Sequence, residues 1–210
     1  MATSGDMVKA VAQLFDLPES KVETFDRRLS EHGLRSKAGR GRGAAQMVGL
    51  DVVNLTFAVL SGAGMMDVPA ATTAITSLKR GPVSVRQEPI SDEPFAQLAE
   101  RADWHFPDPD ELKIFPLSAD LVRANTFGEA VALYVDAMAT DRFKLSEDVA
   151  LTMTVTNDGP SAALTCRVGR MVLKAMFGSV SAADRKPEIE ERRTLQGTTL
   201  EKLAAIIRPA

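Results

Sequence analysis

Residues 35–43 read RSKAGRGRG and carry four positive charges and no negative one. Arg35, Lys37, Arg40 and Arg42 sit among three glycines, and no acid lies between Glu31 and Asp51. A loop that only joins two elements has no need of four cations without acids. Their natural partner is a polyanion, which a local positive patch attracts even when the whole protein is negative. RGRG also fits a disordered RNA-binding tract. Only one such unit occurs, however, and it lies between two ordered elements, which favours a basic loop held by its flanks.

The flanks must position those cations. Residues 6–15, DMVKAVAQLF, place Val8, Val11, Ala12, Leu14 and Phe15 at helical spacing, with Asp6 able to cap the start. Pro18 ends that helix and suits the opening of the next. Residues 19–32, ESKVETFDRRLSEH, put Val22, Phe25 and Leu29 on one side, and Gly33 is a natural helix stop. After the basic run, AAQMVG predicts a short strand, residues 50–60 a third helix, and residues 67–79 a fourth with Pro69 in its first turn.

The first two helices meet the demands of a helix-turn-helix. A close crossing needs a small residue in the first helix, and Ala12 supplies it. Four residues later the turn needs a residue tolerant of the left-handed conformation; Asp16 stands where Gly is usual. Leu17, Val22 and Phe25 fill the apolar anchor positions. With the basic loop and third helix added, residues 7–60 resemble a winged helix-turn-helix domain, similar to the MerR-like head and to small phage and bacterial regulators. The resemblance implies double-stranded DNA as partner. It puts Ser20, Lys21, Thr24, Arg27 and Arg28 near base edges in the major groove. Arg35, Lys37, Arg40 and Arg42 become phosphate or minor-groove contacts of the wing. Four such contacts would contribute about −3.6 to the slope of log affinity against log salt.

Beyond residue 80 the character changes. Residues 81–124 hold 4 basic against 9 acidic residues and several prolines (Pro82, Pro89, Pro94, Pro107, Pro109), which predicts an acidic linker with a short helix near 93–102. Residues 126–139 predict an amphipathic helix. Val149 to Thr156 alternates as a strand, Asn157 to Pro160 makes a turn, and Ala162–Val168 and Met171–Phe177 give further strands around a Gly169-Arg170 kink. Residues 188–195 predict an edge strand, and a helix follows Gly197. The expected class is α+β: a mainly helical winged helix-turn-helix at 1–80, a linker at 81–124, and at 125–210 a small antiparallel sheet with packed helices for oligomerisation or partner binding.

Composition narrows the function classes. The 210 residues carry net charge −3, made of +2 over 1–80 and −5 over 81–210. Aromatics are only 5%, too few for extended base-stacking platforms. The single cysteine, Cys166, sits in the strand-like run ALTCRVG and is expected as a small buried hydrophobe. His32 is expected to cap a helix, and His105 has no partner motif. Asp108, Asp110 and Glu111 lack the spacing of a calcium loop and are read as a solvated turn. Ser61-Gly62-Ala63-Gly64 is no nucleophile elbow, and no phosphate-loop motif occurs. The sequence therefore predicts no catalytic residue, no metal site and no cofactor. Without a targeting segment or apolar span, a cytoplasmic protein is expected. The expected function is a sequence-specific DNA-binding transcriptional regulator, a homo-oligomer with a dimer favoured. The alternatives are a phage-type DNA-packaging component such as a small terminase subunit, or a protein-interaction module.

Overall fold

The computed structural model describes residues 2–36, 46–88, 104–156, 161–178 and 192–208. Among these, the N-terminal helices are α1 (Ser4–Leu14), α2 (Glu19–Glu31), α3 (Gly49–Leu60) and α4 (Val68–Thr76). Next come strand β1 (Arg80–Gln87) and helices α5 (Pro109–Ile114), α6 (Ser118–Leu121) and α7 (Phe127–Ala139). Strands β2 (Val149–Thr156), β3 (Ser161–Val168), β4 (Met171–Phe177) and β5 (Arg192–Gln196) lead into helix α8 (Gly197–Ile207). The fold is mixed α+β, with one five-stranded antiparallel sheet in the order β1-β4-β3-β2-β5.

Alternation builds the sheet. Leu151, Met153 and Val155 of β2 face the helices with Ala162, Leu164 and Cys166 of β3 and Leu173, Ala175 and Phe177 of β4, while the threonines between them face away. Gly169-Arg170 is a two-residue hairpin turn rather than a kink within a strand, because Val168 pairs directly with Met171 and Gly169 takes the required positive φ of 56°. β5 is an edge strand, as its sequence suggests.

One core serves the N-terminal helices and the sheet. Phe57 of α3, Phe127 of α7 and Phe177 of β4 stack in series with centroids 5.3 Å apart at each step, and all three are buried. Each contributes about 1.5–3 kcal/mol by leaving water. Helix α7 packs against α3 and α8, and its Gly128 lets α4 approach closely: a Cβ there would lie 2.9 Å from the Thr76 Cβ.

The stretch expected as a linker begins as a sheet strand. Val83 and Val85 point inward from β1, and Pro82 is tolerated because β1 is an edge strand whose register shifts between Arg80 and Val83. The helix expected at 93–102 and the turn at 157–160 lie outside the described residues. The strand expected over AAQMVG is not formed in its described part: residues 46–48 carry no regular structure, and α3 starts at Gly49. No helix among the described residues is long and apolar enough to cross a membrane.

Candidate nucleic-acid interface

Helices α1 and α2 form a tight pair. Thr3 rather than Asp6 caps α1; its hydroxyl accepts the Asp6 N–H, and the Asp6 carboxylate accepts the Thr3 N–H at 2.9 Å. The Thr3 amide and hydroxyl hold the Asp6 carboxyl below its ordinary pKa. Asp16, two residues past the end of α1, takes the left-handed conformation (φ 51°) and closes the helix by letting the Leu17 N–H reach the Ala12 carbonyl at 2.9 Å. The same closure ends α2, where Gly33 lies at φ 74° and the Leu34 N–H donates to the Leu29 carbonyl at 2.9 Å. His32 Nδ1 lies 2.9 Å from the Arg28 carbonyl, within reach to satisfy that terminal acceptor.

Burial sorts α2 into two sides. Val22, Phe25 and Leu29 are buried against Val8, Val11 and Ala12, leaving Ser20, Lys21 and Arg27 exposed and Thr24 half-buried. The Thr24 hydroxyl donates to its own helix at Ser20 O, 2.8 Å away. Arg27 Nε stands 4.0 Å from Glu31 with most of its side chain in water. Arg28 is less available: it pairs with Glu31 at 3.0 Å and lies against Met66 of the α3–α4 connection. Three cations on α2 face four acids (Glu19, Glu23, Asp26, Glu31), so this helix is not itself a basic surface.

Positive excess therefore depends on the loop, and Arg35 departs from the expected pattern. Its Nε lies 3.0 Å from Asp26 Oδ1, with side chains only 16% and 8% exposed. The contact is an ion pair, with Nε–H directed too far off the oxygen for a hydrogen bond. Burial pushes the Asp26 carboxyl up in pKa; the Ser4 hydroxyl, 2.8 Å away, and Arg35 pull it down, and Asp51 adds repulsion. Arg35 thus faces inward onto α2. Lys37, Arg40 and Arg42 lie outside the described residues.

The described residues on both sides of the basic stretch are pinned. On the entry side Asn54 Nδ2 donates to Leu34 O at 2.7 Å, Asp26 holds Arg35, and the Ser36 N–H donates to Asp51 Oδ1 at 2.7 Å. On the exit side the Met47 N–H reaches Ala2 O at 3.4 Å, the Val48 N–H donates to Asp51 Oδ2 at 3.0 Å, and the Gly49 N–H to Asp136 Oδ1 at 2.9 Å. Val48 has no side-chain acceptor, so Asp51 supplies only one half of a capping box at α3. The Asp136 carboxyl is raised in pKa by burial and by Asp51, against the lowering effect of the Gly49 amide.

Other candidates resolve into structure. Asp108 caps α5, accepting from the Asp110 and Glu111 amides at 2.8 Å each, while Glu111 lies 2.9 Å from His105 Nε2. Cys166 is fully buried beside Tyr134, and burial pushes its thiol up to about 12. Sequence reasoning missed Asp26, Asp51, Asn54 and Asp136. For two of them the available signal was a polar residue inside an apolar pattern: Asp51 and Asn54 stand buried in a helix whose other buried residues, Thr56 apart, are apolar or glycine. Comparison with protein-family models, with curated proteins and with solved structures finds no match.

Proposed function

We propose that this protein binds double-stranded DNA as a transcriptional regulator, through the α1–α2 pair and the basic loop that follows it. The observation that carries the reading is the sequence of elements: a tight helical pair closed at Asp16, exposed Ser20, Lys21 and Arg27 beside a half-buried Thr24, then a cationic stretch of sequence whose two described flanks are pinned. Such side chains can meet base edges, and cations beside them can neutralise phosphate. The acids on α2 favour a division of labour, in which the loop supplies most of the affinity and the helix the preference. The regulator would act as a dimer, each copy meeting one half-site.

Binding to a pool of genomic fragments over a salt series tests this. Salt-dependent affinity with preferred fragments is expected, and Lys21→Ala should change which fragments are preferred. Absence of salt-dependent binding refutes the proposal. Light scattering of the complex separates a dimer from the ring-like oligomer of a packaging component.

A further inference from the structure

Helix α2 presents an acid whose charge the fold does not use. Glu23 is exposed, and among the described residues no hydrogen bond or ion pair holds its carboxylate. Arg27, the cation four residues on, turns instead to Glu31 at 4.0 Å. Glu19 lies four residues before Glu23 and Asp26 three after it, so like charges flank it on its own helix. Burial raises the pKa of Asp26, and the Glu23 charge adds to that rise. Glu23 also lies past the first turn of α2, where Glu19 is the acid that the helix dipole favours.

Its direction is that of the presented side. At 3.6 residues per turn, Ser20, Glu23, Thr24 and Arg27 fall within an arc of about 100°, opposite the buried Val22, Phe25 and Leu29. The same residues border one open polar depression, edged on the α1 side by Ser4 and Gly5. We infer that Glu23 determines base preference: its carboxylate accepts a hydrogen bond from the N4 amino group of a cytosine in the major groove. The inference rests on the DNA-binding reading above. An ionised carboxylate only accepts, and cytosine offers an amino donor there with no acceptor of its own beside it. Adenine sets N7 next to its amino group, and guanine and thymine offer only acceptors, so each of the three meets Glu23 less well. Discrimination thus comes from repulsion as much as from attraction. Arg27 stands about 6 Å further along the helix, roughly two base-pair rises, and suits guanine O6 and N7. The preferred site should therefore hold a cytosine about two base pairs from a guanine.

Selection from a randomised duplex pool tests this with the full chain, Glu23→Ala and Glu23→Gln. Both variants should fold as the wild type does, since the side chain is exposed. The wild-type protein should enrich a cytosine position at which any other base weakens binding about 5- to 150-fold. Glu23→Ala should level the four bases there to within about threefold, with preferences elsewhere in the site unchanged. Glu23→Gln should move the preference at that position from cytosine to adenine, because a carboxamide pairs with adenine N6 and N7. Unchanged preference at every position in both variants would overturn the inference and leave the DNA-binding reading standing. So would tighter binding of Glu23→Ala to all sequences alike with the same preferences, which is the mark of an acid that only repels phosphate. Absence of salt-dependent binding by the wild-type protein would overturn the DNA-binding reading and the inference with it.

Discussion

Replacing Arg35 by Met separates an internal ion pair from a phosphate contact. The guanidinium and its partner Asp26 are both largely buried, and among the described residues the Ser4 hydroxyl is the hydrogen-bond partner that Asp26 keeps once Arg35 is gone. Breaking a buried pair by removing one partner costs about 3–5 kcal/mol. Here Ser4 remains, and Asp26 can relieve its burial by taking up a proton, so about 2–3 kcal/mol is expected at pH 7. The sign with pH follows from the raised pKa of Asp26. An acid whose folded pKa lies above its unfolded value disfavours the folded state once ionised, so its contribution to stability falls as pH rises from the ordinary aspartate range through the raised value. Loss of Arg35 pushes that pKa further up. The cost of Arg35→Met should therefore be largest near pH 7 and shrink as pH falls through the raised folded values of Asp26, disappearing once its carboxyl is protonated in both folded proteins. Urea unfolding at pH 7 and at acid pH measures it. In parallel, the salt slope of DNA binding should stay at the wild-type value, because an inward-facing Arg35 displaces no counterions. A cost under about 0.5 kcal/mol, together with a slope reduced by about 0.9, would show that Arg35 is free and meets phosphate, and would refute the inward assignment.

Three further substitutions probe the scaffold. Gly128→Ala places a Cβ 2.9 Å from the Thr76 Cβ and 3.0 Å from its carbonyl oxygen, so α4 and α7 must separate; after the gain in helix propensity, a net loss of about 1–2 kcal/mol is expected by thermal denaturation. Asp16→Gly relieves the left-handed strain that closes the α1–α2 turn and should stabilise the protein by about 0.5–1 kcal/mol in the same assay. Asp136→Asn keeps an acceptor for the Gly49 amide while removing a charge that burial and Asp51 disfavour. Since the folded pKa is raised, the variant should be more stable than wild type at neutral pH, with the advantage vanishing below the ordinary aspartate range in urea titrations.

Local patterns in the sequence reached as far as local physics does. Val22, Phe25 and Leu29 define the buried side of α2 because helical spacing alone decides it, and the β2–β4 region follows from alternation. Asp16 and Gly33 mark helix ends because few residues accept positive φ. β1 was obscured by Pro82 and by the acidic composition around it, although Val83 and Val85 already alternated; an edge position, which only the assembled sheet defines, is what tolerates the proline. Arg35 was read as a phosphate contact because charge counts carry no direction. The carboxylate it meets comes from the inner side of α2, nine residues earlier, and burial of that partner depends on how the helices pack. Asp51 joins Ser36 across 15 residues, and Asp136 joins Gly49 across 87, separations at which no periodicity speaks.

The central claim is that the loop's cations meet phosphate. With Arg35 turned inward, Lys37, Arg40 and Arg42 remain, and together they should contribute about −2.7 to the slope of log affinity against log salt. Measuring that slope for the wild-type protein and for the Arg40→Ala/Arg42→Ala double variant tests the claim most directly. The account predicts a decrease of about 1.8 in the magnitude of the slope, with weaker binding to all fragments alike. An unchanged slope, or no salt-dependent binding by either protein, would contradict it.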